Sequence, residues 1–263
     1  MKPDYKNWMP KGMVITFYVI SILLLFIASS FLILAITINK YLYIPFGISL
    51  ILAIFVLFIS IKFHQMMKAF DYDGDYHLMK TVAEGTVKYV NIKDNDKGLD
   101  VGCGSGALSI ALAKLNPNTE IIGIDRWGKE YASFNKKLCE KNAEIEGVCN
   151  VSFMQGNAVS LPFSDNEFDV LVSNYVYHNI PSRNRQDILL ESLRCLKKGG
   201  RFAIHDIFSK GKYGDMESFV KKLKDMGYSH VELLDTTNGI FFKNKKEARK
   251  LALGESKLLW GIK

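Results

Sequence analysis

The chain has 263 residues, 48% of them apolar and 12% aromatic, with 34 Lys and Arg against 27 Asp and Glu for a net charge of +7. That aromatic content excludes a disordered chain, and four cysteines in this length exclude a disulfide scaffold. A mean hydropathy near zero (+0.05) would describe a mildly apolar globular protein if the apolar residues were spread evenly, and they are not.

Met13 to Asn39 contains no charged residue, and after Lys40 the stretch Tyr41 to Ile61 is again free of charge. A helix needs about 20 apolar residues to cross the hydrocarbon core of a bilayer. These runs hold 27 and 21, so each is long enough. The alternatives are a buried core helix, which two such runs in tandem disfavour, and a cleaved signal peptide. A signal peptide has a shorter apolar region and would leave the second run behind. Only Asn39-Lys40 joins the runs, which predicts a tight hairpin of two membrane helices (about 13–39 and 41–61) within residues 1–63. Pro45 and Gly47 fall in the first turns of the second span, where proline is tolerated. Lys2, Lys6, Lys11, Lys62 and Lys68 flank the hairpin, against Lys40 alone at its tip. Cytoplasmic flanks collect lysine and arginine, which predicts an integral membrane protein with both termini and the catalytic part in the cytoplasm.

The positive charge is local. Residues 1–63 carry +4 and residues 243–263 carry +5, leaving −2 for residues 64–242. Binding to nucleic acid is therefore not expected, and basic flanks beside an anionic lipid leaflet are the simpler account. The basic tail reads equally as a solvated helix face.

Residues 64–97 read as a linker with N-terminal cap helices. From there short apolar runs alternate with amphipathic ones. Strands are predicted at Gly98–Val101, Glu120–Ile124, Val151–Gln155, Phe168–Ser173, Arg201–Asp206, His230–Leu234 and Gly239–Phe242. Helices are predicted at Leu108–Leu115, Lys129–Ala143, Arg185–Leu196 and Met216–Met226. The alternation predicts an α/β domain over 98–242 with a doubly wound, mostly parallel sheet. The last two strands, joined by Asp235–Asn238, are expected as an antiparallel hairpin, with 243–263 as a basic tail.

Between the first strand and first helix lies Leu99-Asp-Val-Gly-Cys-Gly-Ser-Gly-Ala-Leu108. Its three glycines permit a tight turn and close backbone approach, and the helix beyond offers free N–H groups and a positive dipole end. Alone, this loop fits a nicotinamide dinucleotide or S-adenosylmethionine equally well. Asp125 ends the next strand, where a carboxylate accepts hydrogen bonds from ribose hydroxyls. Three further stretches follow: Gly156-Asn-Ala-Val-Ser-Leu-Pro-Phe163, Phe168-Asp-Val-Leu-Val-Ser-Asn174 and Leu193-Arg-Cys-Leu-Lys-Lys-Gly-Gly200.

In this order and spacing the set resembles the class I S-adenosylmethionine-dependent methyltransferases, most closely the small-molecule branch that includes the ubiquinone and menaquinone methyltransferases. The resemblance covers about Asp71 to Asp206 and implies a Rossmann-like fold. It also implies that Gly102, Cys103, Gly104 and Gly106 hold the methionine part of the cofactor above Asp100, that Asp125 binds the ribose and that Arg126 lies along the adenine. The family usually has an acidic residue where this chain has Asn157, whose oxygen still accepts but without charge. A small residue, here Ala158, follows it. Asn174 would stand beside the transferred methyl group. Each of these has a plainer reading, packing for Gly106 and a surface charge for Arg126.

Methyl transfer is an in-line displacement that mainly requires alignment and exclusion of water, with a base only if the acceptor must lose a proton. Tyr175 and His178 follow the fourth strand at the sheet edge where ligands of α/β proteins bind, and are the candidate catalytic residues. A histidine that only packs or touches cofactor remains the alternative. His205 and Asp206 are secondary candidates on the same edge. Cys103, Cys139, Cys149 and Cys195 show no metal-ligand spacing, so no metal is expected. The expected activity is transfer of a methyl group to a small, hydrophobic or lipid-soluble acceptor at the bilayer. The alternative is a membrane-tethered reductase or sensor that binds a nucleotide cofactor without transferring methyl groups.

Overall fold

A computed structural model of the chain describes residues 2–128 and 133–263 and divides into two compact units, one of Asn7–Tyr76 and one of Met1–Lys6 with His77–Lys263. Lys129–Ala132, the start of one predicted helix, lie outside the described residues.

The first unit is an antiparallel pair of helices, α1 (Lys11–Thr37) and α2 (Tyr43–Ala69), joined by a single 3-10 turn at Lys40–Leu42. Asn39 caps that turn by accepting from the Tyr41 amide. Val14, Ser21, Ala28 and Ala35 are the buried residues of α1, spaced every seven positions, and Ser49, Ala53 and Ser60 lie buried on α2. A repeat of seven keeps one seam facing a partner helix, and small residues allow close approach. Ser21 Oγ crosses the seam to donate to the Ala53 carbonyl at 3.1 Å. Other hydroxyls are satisfied within their own helix: Ser29, Ser30 and Ser60 donate to the carbonyls of Leu25, Phe26 and Val56. Lipid offers these groups no partner, so internal satisfaction suits a helix that crosses it. Both helices are long and apolar enough to span a membrane, and only 17% of the most apolar window of each is buried, unlike a core helix. Helix α2 runs past the predicted end at Ile61, because Lys62–Ala69 continues the helical hydrogen bonding after the apolar run stops.

The second unit opens with α3 (Leu78–Thr86) and is built on β1 (Lys97–Val101), α4 (Ala107–Leu115), β2 (Glu120–Asp125), α5 (Lys136–Ile145), β3 (Val151–Gln155), β4 (Phe168–Asn174), α6 (Arg185–Arg194) and β5 (Leu196–Ile207). It closes with the short α7 (Lys210–Tyr213), α8 (Met216–Asp225), β6 (His230–Asp235), α9 (Lys245–Lys250) and β7 (Ser256–Ile262). The sheet order is β3-β2-β1-β4-β5-β7-β6. Strands β1 to β5 are parallel, and β7 runs antiparallel to both β5 and β6. Alternate residues of a strand face opposite sides, and a register shift between Phe168 and Val170 on β4 turns Phe168 to the other face. On β4, Val170 and Val172 pack with α3 and α4, while Phe168 and Leu171 pack with α6 and α8. Winding reverses between β1 and β4, and the crevice at their carboxyl ends is where such sheets bind ligands.

Several predicted boundaries change. Residues 133–135 are not helical, and α5 starts at Lys136 because Asn135 caps it by accepting from the Leu138 N–H. Gly239–Phe242 is not a strand: Gly239 has φ +88, its N–H donates to the Phe242 carbonyl at 2.8 Å and the Phe241 N–H donates to the Thr236 carbonyl at 3.1 Å. The segment closes on itself, and Phe241 and Phe242 are its buried anchors while Ile240 is exposed. The antiparallel partner of β6 is β7 instead, inside the expected basic tail. Ser256, Leu258, Leu259 and Gly261 of that strand are buried, so the charges of Lys243–Lys250 belong to the connection before it. Helix α6 stops at Arg194, where Leu196 already begins β5. A chain ending at Gly254 loses a strand between two others and will aggregate in detergent where the full chain does not, checked by expression and gel filtration in micelles.

Candidate active site

The turn from β1 into α4 is shaped by residues at the ends of β2 and α5. The N–H groups of Gly102 and Cys103 both donate to the Ile124 carbonyl, at 2.7 and 3.1 Å, and the Gly106 N–H donates to the Cys103 carbonyl at 2.7 Å. Asp125 holds the loop by both carboxylate oxygens: Oδ2 accepts from the Gly104 N–H at 2.9 Å and Oδ1 from the Trp127 N–H at 2.7 Å. The Trp127 indole N–H and the Cys139 thiol both donate to the Gly104 carbonyl, at 2.9 and 3.2 Å. Gly102, Gly104 and Gly106 have φ of +79, +57 and +86, a region that side chains rarely adopt. At Gly102 space adds to strain, because a Cβ there would lie 2.2 Å from Val176 Cγ2. Gly102→Ala should therefore unfold the domain or cost several kcal/mol, on the order of a buried overpacking defect plus backbone strain. Denaturant titration measures the loss, and Val176→Ala in the same chain is expected to restore part of it.

Asp100 lies beneath this loop and is 1% exposed. Its Oδ2 accepts from Ser109 Oγ at 2.5 Å, and Oδ1 has no hydrogen-bond partner among the described residues. Burial raises its pKa from 3.8 to about 7, and the Asp125 carboxylate adds to the rise. Ser105 Oγ is also buried without a partner among the described residues. By contrast, a Cβ placed on Gly104 would meet nothing nearer than the Phe134 ring at 3.7 Å. An open approach, an orphaned carboxylate oxygen and an orphaned hydroxyl fit a cationic, hydrogen-bonding group such as the amino-acid end of S-adenosylmethionine.

The other predicted cofactor residues lie at the same edge with partners of their own. Asn157 is exposed and its Oδ1 accepts from the Val159 N–H at 3.0 Å, so the oxygen expected to meet the adenine also closes a local turn. Ala158 packs half-buried against the core. The Arg126 side chain is exposed and its carbonyl accepts from Gln155 Nε2 at 3.0 Å. Cys103 is buried, and burial pushes its thiol pKa up.

Across the crevice, β4 and β5 carry a second cluster. His178 Nδ1 is 2.5 Å from Asp206 Oδ1, and the His178 N–H donates to Asp206 Oδ2 at 3.2 Å. Tyr213 donates to Asp206 Oδ2 at 3.0 Å, and the Ile207 N–H to Oδ1 at 2.6 Å. Four donors thus surround a carboxylate with a fully buried side chain. With Nδ1–H given to Asp206, His178 keeps its Nε2 lone pair, which no described residue occupies.

His205 differs. Its Nδ1 lies 3.0 Å from Asn174 Oδ1 and its Nε2 2.9 Å from Thr236 Oγ1. Burial lowers its pKa to about 3. It is a neutral ring with both nitrogens engaged, which fixes Asn174 at the end of β4. Tyr175 has φ +55, an outlier for a bulky residue of the kind that gathers at functional sites. Its ring stands edge-on to His205 at 4.8 Å and His178 at 6.1 Å, its hydroxyl pairs with Ser256 Oγ at 2.9 Å, and burial raises its pKa well above the usual tyrosine value. A phenol so placed packs against both histidines.

Sequence reasoning missed Trp127, Asn142, Tyr213 and the β6–β7 connection, whose Thr236 and Phe241 meet His205. An aromatic two residues after the strand-ending Asp125 was the available hint for Trp127, and the others had none.

The sequence profile described as a methyltransferase domain matches residues 92–250. The chain belongs to the methyltransferase-domain family. It is 34% identical over 117 residues to the demethylmenaquinone methyltransferase of Anoxybacillus flavithermus, covering 44% of this chain and 46% of that enzyme. It is 34% identical over 139 residues to the 2-phytyl-1,4-naphtoquinone methyltransferase of Synechocystis, covering 52% and 55%. The chain therefore spans about half the length of the curated relatives it matches. Two solved structures share the fold. A geranyl diphosphate methyltransferase in complex with GPP and sinefungin has a TM-score of 0.54 at 14% identity, covering 72% of this chain and 82% of that one. A SAM-dependent methyltransferase from Aquifex aeolicus has 0.50 at 18%, covering 76% and 97%. The matched residues run from just before β1 through α9, and the two long apolar helices precede them.

Proposed function

We propose that this methyltransferase is anchored to a membrane by α1 and α2, and methylates a hydroxylated, quinone-like acceptor dissolved in the bilayer. The observation that carries the reading is the pairing of His178 with the buried Asp206 beside the glycine loop. Val176, two residues before His178, fills the space over Gly102, so the segment bearing the histidine is packed onto the cofactor loop.

When bound, S-adenosylmethionine supplies an electrophilic methyl group on a sulfonium. Asp100 and the Gly102–Gly106 loop hold its amino-acid end, Asp125 its ribose, and Asn157, Ala158 and Arg126 border its adenine. Asn174, steadied by His205, lines the transfer position. His178 Nε2 takes the proton of an aromatic hydroxyl, which raises the electron density of the ring and its oxygen, and Asp206 stabilises the imidazolium so formed. Tyr175 and Val176 exclude water from that proton.

A quinone-like acceptor is supported by the names of the relatives, which act on demethylmenaquinone and phytyl-naphtoquinone. Anchoring with the domain and both termini in the cytoplasm is supported by the five lysines flanking the hairpin. The test is conversion of S-adenosylmethionine to S-adenosylhomocysteine by the full chain in lipid vesicles, with demethylated quinols, soluble phenols and thiols as acceptors. Turnover confined to lipid-dispersed quinols is expected. Equal turnover of soluble acceptors removes the lipid-soluble substrate. A thermal shift with NADH and none with S-adenosylmethionine replaces methyl transfer by a reductase or sensor.

A further inference from the structure

We propose that the first residues of the chain, ahead of the membrane helices, are part of the cofactor site: residues 2–6 form a strap that fixes the glycine loop through Asn142, a positioning residue. The inference rests on the cofactor reading above but on separate contacts. Asn142 is on α5 and 1% exposed. Its Oδ1 accepts from the Asp4 N–H at 2.8 Å, and its Nδ2 donates to the Asp4 carbonyl at 3.1 Å and to the Ser105 carbonyl at 3.0 Å. One side-chain amide thus clasps the backbone of the strap on one side and that of the cofactor loop on the other. Tyr5 is the adjoining anchor. It is 3% exposed, and its hydroxyl donates to Glu146 Oε1 at 3.0 Å, while Glu146 Oε2 pairs with Lys114 in the last turn of α4. The strap therefore bridges α4, which the loop opens, and α5.

Three glycines in five residues make a loop with more conformational freedom to lose than any other composition. The bonds from Asp125, Trp127 and Cys139 fix Gly104. Among the described residues, Asn142 is the side chain seen to hold the next peptide by its carbonyl, at Ser105, whose hydroxyl is one of the two orphaned polar atoms of the site. The strap in turn holds Asn142: without Asp4 and Tyr5, a buried amide loses two of its three hydrogen bonds and its cover. A loop left partly free must be ordered by the cofactor at the expense of affinity. The chemistry on β4 and β5 is untouched, so affinity for the cofactor changes and the rate at saturation does not.

The experiment uses the full chain in detergent micelles. The variants are deletion of residues 2–5, Tyr5→Ala, Asp4→Pro, which removes the donating N–H, and Asn142→Asp, which keeps the acceptor and loses the donor. Binding of S-adenosylhomocysteine is followed by calorimetry, exchange of the Gly102–Gly106 amides by hydrogen–deuterium mass spectrometry without ligand, and KM and kcat by turnover. Each variant is expected to weaken binding and raise the cofactor KM about tenfold, the worth of one net hydrogen bond to a buried group. Loop exchange should quicken and kcat should stay within twofold. Unchanged affinity and exchange in the strap deletion overturn the proposal. Should Asn142→Asp fail to fold, the deletion and Tyr5→Ala decide it, since they remove nothing from the sheet. If the parent chain binds no S-adenosylhomocysteine, the cofactor reading falls, and unchanged loop exchange in the deletion still overturns the strap.

Discussion

Asp100→Asn will make the protein more stable above pH 7 while it loses S-adenosylmethionine. The native carboxyl, raised from 3.8 to about 7, is neutral in the folded protein over a range in which the unfolded chain is ionised. The stability it contributes is fully present below pH 4 and is lost as pH rises to 7. The shift corresponds to about 4 kcal/mol by proton linkage. Asparagine avoids that loss, so the gain in melting temperature should grow from pH 4 to 7 and then level. Under the proposed function that cost is the counterpart of holding a cationic ligand with the ionised carboxylate, one oxygen of which is unpartnered among the described residues. In the native protein, cofactor affinity should rise with pH up to about 7 and then flatten, with proton release on binding detectable by calorimetry in buffers of different ionisation enthalpy. In Asp100→Asn affinity should fall by more than a hundredfold, about the 3 kcal/mol upper range for a hydrogen bond to a charged group, and the pH dependence should vanish. A variant that binds normally would place the amino-acid end of the cofactor elsewhere.

His178→Ala should lower kcat about a thousandfold, within the range for loss of general base catalysis, with the cofactor dissociation constant unchanged within twofold. Asp206→Asn tests the orientation of the ring. Its side chain is fully buried and receives four donors, of which His178 Nδ1 at 2.5 Å is the one that sets the tautomer. An amide in its place turns a hydrogen toward the imidazole or toward Tyr213, and kcat should fall about a hundredfold or more with partial loss of stability. Retention of a third of the wild-type kcat by His178→Ala would reduce the histidine to packing. The contrast with Asp100→Asn is diagnostic, since one variant loses binding and the other loses rate.

The two histidines show why the site was only half legible. His178 and His205 stand in similar strand-end contexts, and sequence offers no means to rank them. Folding ranks them by partners drawn from distant segments. Asp206 leaves one nitrogen of His178 open, whereas Asn174 and Thr236 occupy both nitrogens of His205. Tyr175 was read as a catalytic candidate from the same position, and its bond to Ser256, 81 residues away, gives it a packing role.

What the sequence by itself determined is local. Runs without charge define the two long helices, since a charge-free run of that length has few other solvents. The glycine spacing defines the turn into α4, because side chains are strained at those positive φ values, and the alternation of strand and helix defines a doubly wound sheet. The tertiary structure alone decided what depends on contacts across long stretches of chain. Strand β7 was hidden because the charges before it outweighed its alternating apolar residues in any window average, and only its place between β5 and β6 makes it core. The strap was hidden because a short polar segment has no periodicity, and Asp4 meets Asn142 across 138 residues. Hydrophobic pattern reports which surface must be buried, while the partner that buries it is a property of the assembled fold.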